Sequence, residues 1–252
     1  MTENKPLSHI RLQIGCPVGD YRLDLDFVTS LYETATTLEH FGCKTDFAKL
    51  PGCSDLPAAR SKIVGNFYRS DFTHLLMVDS DMGWKVNDVI RMLNYNVDFI
   101  AAAGVKKITG PSEFCLNNCR DDGTTIPMLV SGDGTLEVTE IGAAFVLISK
   151  NCANRMMDYY RPELEYEIIG PELPGGRQME VDLFAPFIIP GTKRRLPEDY
   201  AFMHRYRKIG GKIVVLPDVH LTHAGRLAWA GKFSDSLQWI SDAPEVENGK
   251  EA

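Results

Sequence analysis

Thr73 to Val78 (THLLMV) is a continuous apolar run that ends on two carboxylates, Asp79 and Asp81. Such a run is what a strand buried on both faces requires, and a strand of that kind needs helices above and below it. The neighbouring sequence supplies them. Arg11 to Ile14 reads as a short strand ending at Gly15-Cys16-Pro17. Asp24 to His40 has helical spacing through Phe27, Leu31 and Leu38, with Gly42 where a helix C-cap belongs. Cys43 to Leu50 is a second strand, and Ala58 to Tyr68 a helix with Ile63, Val64 and Phe67 on its apolar face. Val86 to Tyr95 predicts a helix and VDFIAAAG, ending at Gly104, another buried strand. This β-α-β-α-β-α-β order predicts an α/β fold with an open, mainly parallel sheet flanked by helices. Ligands of such sheets collect beyond the carboxyl ends of the strands, where Asp79 and Asp81 lie.

The second half is less regular. Lys106 to Asp133 is rich in turn formers and reads as a loop or hairpin, and Leu136 to Ser149 holds two strand-like stretches, the second being GAAFVLIS. Glu163 to Arg195 has several Pro and Gly residues and weak periodicity, which predicts a long, partly mobile loop of the kind that carries function. Leu196 to Ile209 predicts a helix, with Phe202, Tyr206 and Ile209 on one face and Gly210-Gly211 at its end. Lys212 to Leu216 reads as a strand. No repeat or linker divides the chain, so residues 1–242 are read as one domain and the acidic stretch 243–252 as a disordered tail.

Composition bounds the function. The chain has 252 residues, 44% of them hydrophobic, enough for a sizeable core. No apolar run approaches the roughly 20 residues of a membrane-spanning helix, and the polar N-terminus lacks a signal-peptide pattern, so a cytoplasmic protein is expected. The six cysteines include no C-x-x-C pair, and free thiols are the expectation. A net charge of −7 argues against a nucleic-acid partner, which favours a basic surface.

Three constellations carry chemistry. Asp79-Ser80-Asp81 places two carboxylates at i and i+2 just past a strand, where they can coordinate Mg²⁺ or Mn²⁺ directly or through water, or simply cap the turn. Glu198-Asp199 opens the Leu196 helix; a helix N-terminus favours the ionised state that a general base needs, and capping is the plainer alternative. His220-Leu221-Thr222-His223 follows the strand KIVVL and Pro217, and either histidine could supply an imidazole ligand, which suits Mn²⁺ better than Mg²⁺. Arg60, Lys193, Arg194, Arg195, Arg226 and Lys232 are cations able to neutralise phosphate or to stand as solvated surface charges.

The order of these blocks, THLLMVDSDMGW, then IGAAFVLIS, then LPEDYAFMHRYRKIGGKIVVLPDVHLTHAG, resembles the GT-A glycosyltransferase superfamily over roughly residues 10–226. The likeness is greatest to the small transferases of bacteria, their phages and large viruses. It implies a GT-A (Rossmann-like) fold with a small antiparallel extension and a metal-dependent transfer from a nucleoside-diphosphate sugar, UDP-linked by preference. On that resemblance Asp79, Ser80 and Asp81 match the D-x-D that holds Mn²⁺ (or Mg²⁺) and the donor's ribose and diphosphate. Asp199 matches the base that deprotonates the acceptor hydroxyl, and Glu198 its acceptor-orienting neighbour. His223 matches the histidine that closes the metal shell, ahead of His220. Pro17, Asp46 and Arg60 fall where the base and phosphate bind, although family members often carry Arg-Asn where this chain has Arg60-Ser61. A glycan, a lipid-linked sugar or a protein is the implied acceptor. The rivals are a non-catalytic nucleotide-sugar-binding protein of the same fold, a D-x-D phosphatase, here lacking the Thr or Val expected at Gly83, and a sugar-1-phosphate nucleotidyltransferase, here lacking its Gly-rich N-terminal loop.

Overall fold

A computed structural model describes residues 7–109, 111–171, 173–225 and 229–237; Arg226 and the stretch 243–252 lie outside the described residues. The first half alternates as its periodicity predicts: β1 (Arg11–Val18), α1 (Leu25–His40), β2 (Lys44–Pro51), α2 (Leu56–Arg69), β3 (His74–Val78), the two-residue β4 (Met82–Gly83), α3 (Val86–Asn94) and β5 (Phe99–Ala101). Then come β6 (Leu116–Asn117), β7 (Leu136–Val138), β8 (Glu140–Ile141), β9 (Phe145–Ser149), α4 (Lys150–Leu164), β10 (Glu165–Ile169) and β11 (Arg177–Val181). β12 (Phe187–Ile188), β13 (Arg195–Leu196), α5 (Glu198–Lys208), β14 (Ile213–Val215), β15 (Leu221–His223) and β16 (Trp229–Gly231) complete the order.

The central sheet has seven strands in the order β2-β1-β3-β9-β5-β14-β7. β1 runs parallel to β2 and to β3, and β5 parallel to β14, while β9 and β7 pair antiparallel to their neighbours. The result is a mixed α/β sheet, mostly parallel in strand direction, in which β9 lies between β3 and β5. Side chains along β3 alternate between two cores: Leu75 and Met77 pack with α2, α4 and α5, and Leu76 and Val78 with α1 and α3. That period of two explains why the run is apolar throughout, since each buried aliphatic side chain is worth about 1.5–3 kcal/mol on whichever face it falls. A separate three-stranded sheet, β16-β15-β4, packs antiparallel just beyond β3.

Several sequence expectations need correction. β1 continues through Pro17 to Val18 instead of ending at Gly15, because its pairing with β3 stops at Gly15 and a strand with one free side tolerates proline. Glu163 to Arg195 is not a structureless loop: β10 and β11 form a hairpin with Glu165 opposite Val181, and β12 pairs with β13. Its charged, half-exposed strands hid the alternation, and the hairpin is fastened by the fully buried Glu180, which accepts a hydrogen bond from Arg69 Nη2 at 2.6 Å. α4, unassigned by periodicity, carries Pro162 in its last turn, so the break that proline imposes falls where the helix is ending. All six cysteines are free. No helix of the described residues is long and apolar enough to cross a membrane.

α2 sits directly on the β1 backbone at Gly15. A Cβ there would lie 2.5 Å from Ile63 Cγ2 and 3.0 Å from Leu75 Cδ1, and Ile63 is β-branched and stiff. Gly15→Ala should therefore lift α2 from the sheet and cost about 1–3 kcal/mol, read as a lower midpoint in urea unfolding.

Candidate functional site

The carboxyl end of β3 is where the chain's charges converge. Asp79 N–H donates to the carbonyl of Ala144, just before β9, at 3.2 Å, and Asp24 N–H donates to the carbonyl of Ser80 at 2.9 Å, so the turn is held on both sides by backbone. Asp24 is also the N-cap of α1, its side chain accepting from Asp26 N–H. The small sheet then brings His223 alongside: its Cα pairs with Met82, and Ala224 N–H donates to the carbonyl of Asp81 at 2.7 Å.

His223 Nε2 lies 3.5 Å from Asp81 Oδ1. Its Nδ1 is 2.7 Å from the Val105 carbonyl, which can only accept, so Nδ1 donates there; Nε2 donates to Asp81 when the ring is protonated and is the nitrogen open to a metal when it is not. Lys107 Nζ contacts the other Asp81 oxygen at 2.5 Å. Burial alone would raise the Asp81 pKa, but His223 and Lys107 outweigh it and hold the carboxyl at about 2. The His223 imidazole is correspondingly pushed up: its own burial opposes protonation, and the Asp81 carboxylate with the Val105 carbonyl overcomes it.

Arg60, on α2 and only 3% exposed, joins this centre to the second. Its Nη2 donates to Asp79 Oδ1 at 2.7 Å and its Nη1 to Glu198 Oε1 at 2.8 Å. Both ends of the guanidinium are thus committed to carboxylates. Asp199 follows Glu198 in the first turn of α5, its Oδ1 accepting from Tyr200 N–H at 2.8 Å and its Oδ2 facing Gly142, where a Cβ would come within 3.6 Å. The helix N-terminus predicts a fully ionised pair at neutral pH. Burial instead pushes Asp199 up to about 6, helped by the adjacent Glu198 charge and opposed by the Tyr200 N–H and Arg60. Cys115 lies near both centres, and burial raises its thiol pKa, with Asp199 and Asp79 adding to the rise.

Among the expected residues, Asp79, Asp81, Glu198, Asp199, Arg60 and His223 come together. Pro17 sits at the same end of the sheet, three residues past Ile14, the partner of Leu76. Asp46 does not join them: it is exposed on β2 opposite Gln13, whose partner on β3 is Leu75, four residues and about 13 Å of strand short of Asp79. His220 lines a separate cavity of about 260 Å³ with Asp26, Glu33, Trp84 and Thr222. Arg194 is paired with the buried Glu140, Lys232 lies 3.6 Å from Asp235, and Lys193 and Arg195 are exposed. Lys107 and the Val105 carbonyl were missed; the signal was a basic pair, Lys106-Lys107, shortly after a buried strand.

Among the described residues no three His, Cys, Asp or Glu side chains stand close enough to share a metal ion, so the expected trio of Asp79, Asp81 and His223 is not assembled as one cluster. Asp79 is instead ion-paired with Arg60. Asp81 and His223 nonetheless present a carboxylate oxygen and an imidazole nitrogen side by side, a donor pair that fits Mn²⁺.

Comparison with known proteins adds little. No protein-family model and no curated protein matches the chain. Among solved structures, the crystal structure of A197 from STIV is similar with a TM-score of 0.48 at 14% identity, covering 89% of this chain and 91% of that one. Nothing about chemistry follows from a likeness of that degree.

Two outcomes test this geometry. Arg60→Met leaves Asp79 and Glu198 facing each other without a cation, and should cost about 3–5 kcal/mol in thermal or urea unfolding. Asp199 acts in the opposite sense. Its pKa is raised from 3.8 to about 6 in the folded state, so the stability linked to its protonation is complete below pH 3.8 and lost as pH rises through about 6. Asp199→Asn should then stabilise the protein at pH 7 by an amount on the order of 1–3 kcal/mol, with little gain at pH 4.

Proposed function

We propose that this chain is a metal-dependent glycosyltransferase of GT-A fold that moves a sugar from a UDP-sugar to an acceptor hydroxyl with inversion. The observation that carries the reading is Arg60, which binds the D-x-D carboxylate Asp79 and the acceptor-side Glu198 at once. Two carboxylate centres of different character are thereby held side by side at the sheet end where α/β folds bind ligands. A sugar transferase needs that pairing: one centre for the donor's diphosphate, the other for the acceptor's proton.

The donor side consists of Asp81 and His223, which would hold Mn²⁺, with Asp79 oriented by its ion pair with Arg60. The bound cation would offset the charge that develops on the departing diphosphate. On the acceptor side Asp199 takes the acceptor's proton at a carboxylate oxygen as the hydroxyl attacks the anomeric carbon. A base with a pKa of about 6 is largely ionised at pH 7 yet basic enough to hold a proton in transit. Glu198, fixed by Arg60, raises that basicity and is placed to orient the acceptor, which by the chain's acidity is a glycan, a lipid-linked sugar or a protein rather than a nucleic acid. Gly142, tight against Cys115, lets the Asp199 carboxylate lie against the backbone, since a Cβ there would stand 3.1 Å from the Cys115 Cβ and 3.6 Å from Asp199 Oδ2.

A thermal-shift panel of nucleotide-sugars with and without Mn²⁺ tests the reading first, because a ligand of the folded state raises its apparent stability. The expected response is to a UDP-sugar and only with Mn²⁺. Asp81→Ala should abolish Mn²⁺-dependent UDP binding together with turnover, and unchanged binding in that variant sinks the metal assignment. Turnover should rise with pH through about 6 as Asp199 ionises, and in Glu198→Gln that limb should move to lower pH, since the neighbouring negative charge is gone.

A further inference from the structure

We propose that Lys107 is a ligand of the donor's phosphates which, before donor and cation arrive, is parked on Asp81 in the cation's place. This inference rests on the donor site proposed above and extends it to a residue that neither motif nor family likeness singles out. The segment from Val105 to Lys107 sets both neighbours of Asp81: the Val105 carbonyl orients His223, and two residues later the Lys107 ammonium meets Asp81 Oδ2. The D-x-D is therefore neutralised one carboxylate at a time by the chain's own cations, Asp79 by Arg60 and Asp81 by Lys107.

The two cations differ in mobility. Arg60 is buried and bonded at both ends, whereas Lys107 is one-third exposed on a flexible stem. The backbone beneath it is fixed: Val105 bridges Phe114, Lys106 N–H donates to the Glu113 carbonyl at 2.7 Å, Lys106 Nζ pairs with Glu113 at 2.9 Å, and Trp229 Nε1 donates to the Ile108 carbonyl at 2.6 Å. The side chain can swing while the loop stays.

A divalent ion on Asp81 and His223 would stand within a few ångströms of the ammonium, and like charges at that range repel strongly in a half-buried site. Lys107 must then leave Asp81. A diphosphate bound to the same ion brings anionic oxygens within the stem's reach, so the ammonium exchanges a carboxylate for a phosphate. Without nucleotide, Lys107 competes with the metal; with nucleotide, it binds alongside it. Metal and nucleotide should accordingly strengthen each other's binding, and reciprocally so.

Manganese binding by electron paramagnetic resonance, on the full chain with and without UDP, tests this independently of turnover. Lys107→Met should bind Mn²⁺ alone about tenfold more tightly than the parent and bind UDP in saturating Mn²⁺ about tenfold more weakly. Lys107→Arg, which keeps the charge, should restore the parent pattern. If Mn²⁺ binds the parent, is lost in Asp81→Asn, and is equally tight in Lys107→Met, the role of Lys107 is wrong and the metal site stands. If Mn²⁺ binding is absent, or indifferent to Asp81→Asn, the donor site falls and this inference with it.

Discussion

A guanidinium buried between two carboxylates on different elements holds this site together. A charge such as Arg60, nearly sealed from water, is tolerable only when its partners are present and well aligned. Here the partners are Asp79, at the end of β3, and Glu198, at the start of α5, 119 residues apart in sequence by subtraction of their numbers. Arg60 therefore fixes α2, β3 and α5 relative to one another, and none of the three can shift without stranding an ion. The Nε of Arg60 has no hydrogen-bond partner among the described residues, so even this arrangement leaves one buried donor unsatisfied. Structural and chemical demands meet on one side chain.

The same contact divides labour between adjacent carboxylates. Glu198 is paired with the guanidinium, while Asp199, one residue on, is half-buried without a full counter-charge. The N-terminus of α5 would favour negative charge at both, by about 0.3–1 kcal/mol each. Desolvation of Asp199 exceeds that, and its pKa rises rather than falls. Two acidic groups in one helical turn thus differ because of what they touch. That asymmetry is what the proposed role of Asp199 as a general base requires.

What the sequence reveals follows from what is local. Apolar runs bounded by turns gave β3, β5 and the helices between them, since burial on both faces leaves an unbroken signature. The β10–β11 hairpin was not legible, because its strands are charged and half-exposed and, of its two deeply buried side chains, Glu180 and Val181, one is polar and answered by Arg69 across the fold. In the site, Asp79, Asp81, Glu198, Asp199 and His223 stood out as residue types in a telling order. Arg60 stood out only as one cation among several, and its double pairing could not be read without the distance between α2 and α5. Lys107 was invisible for the same reason: its partner Asp81 lies 26 positions earlier, and only the alignment of the ends of β3 and β5 brings them together.

That alignment depends on β9 lying between β3 and β5. It runs antiparallel to both, so its beginning, not its end, reaches the site: Ala144 accepts from Asp79 N–H, and Phe145 accepts from Ala102 N–H. The residues at this junction, Ala101-Ala102-Ala103-Gly104 and Gly142-Ala143-Ala144, carry a methyl group or nothing. Gly104 is close enough that a Cβ would lie 3.6 Å from the Ala144 methyl, and Gly142 N–H donates to the Cys115 carbonyl at 2.7 Å. Ala101, Ala103 and Ala143 are buried in the core beneath α2, α4 and α5 and Ala102 in the core beneath α1 and α3, so larger side chains here would overpack both cores at the sheet end. Small ones let the ends of β5 and β9 approach each other, and that packing sets where the Asp79–Asp81 turn, held by the Ala144 carbonyl, can lie.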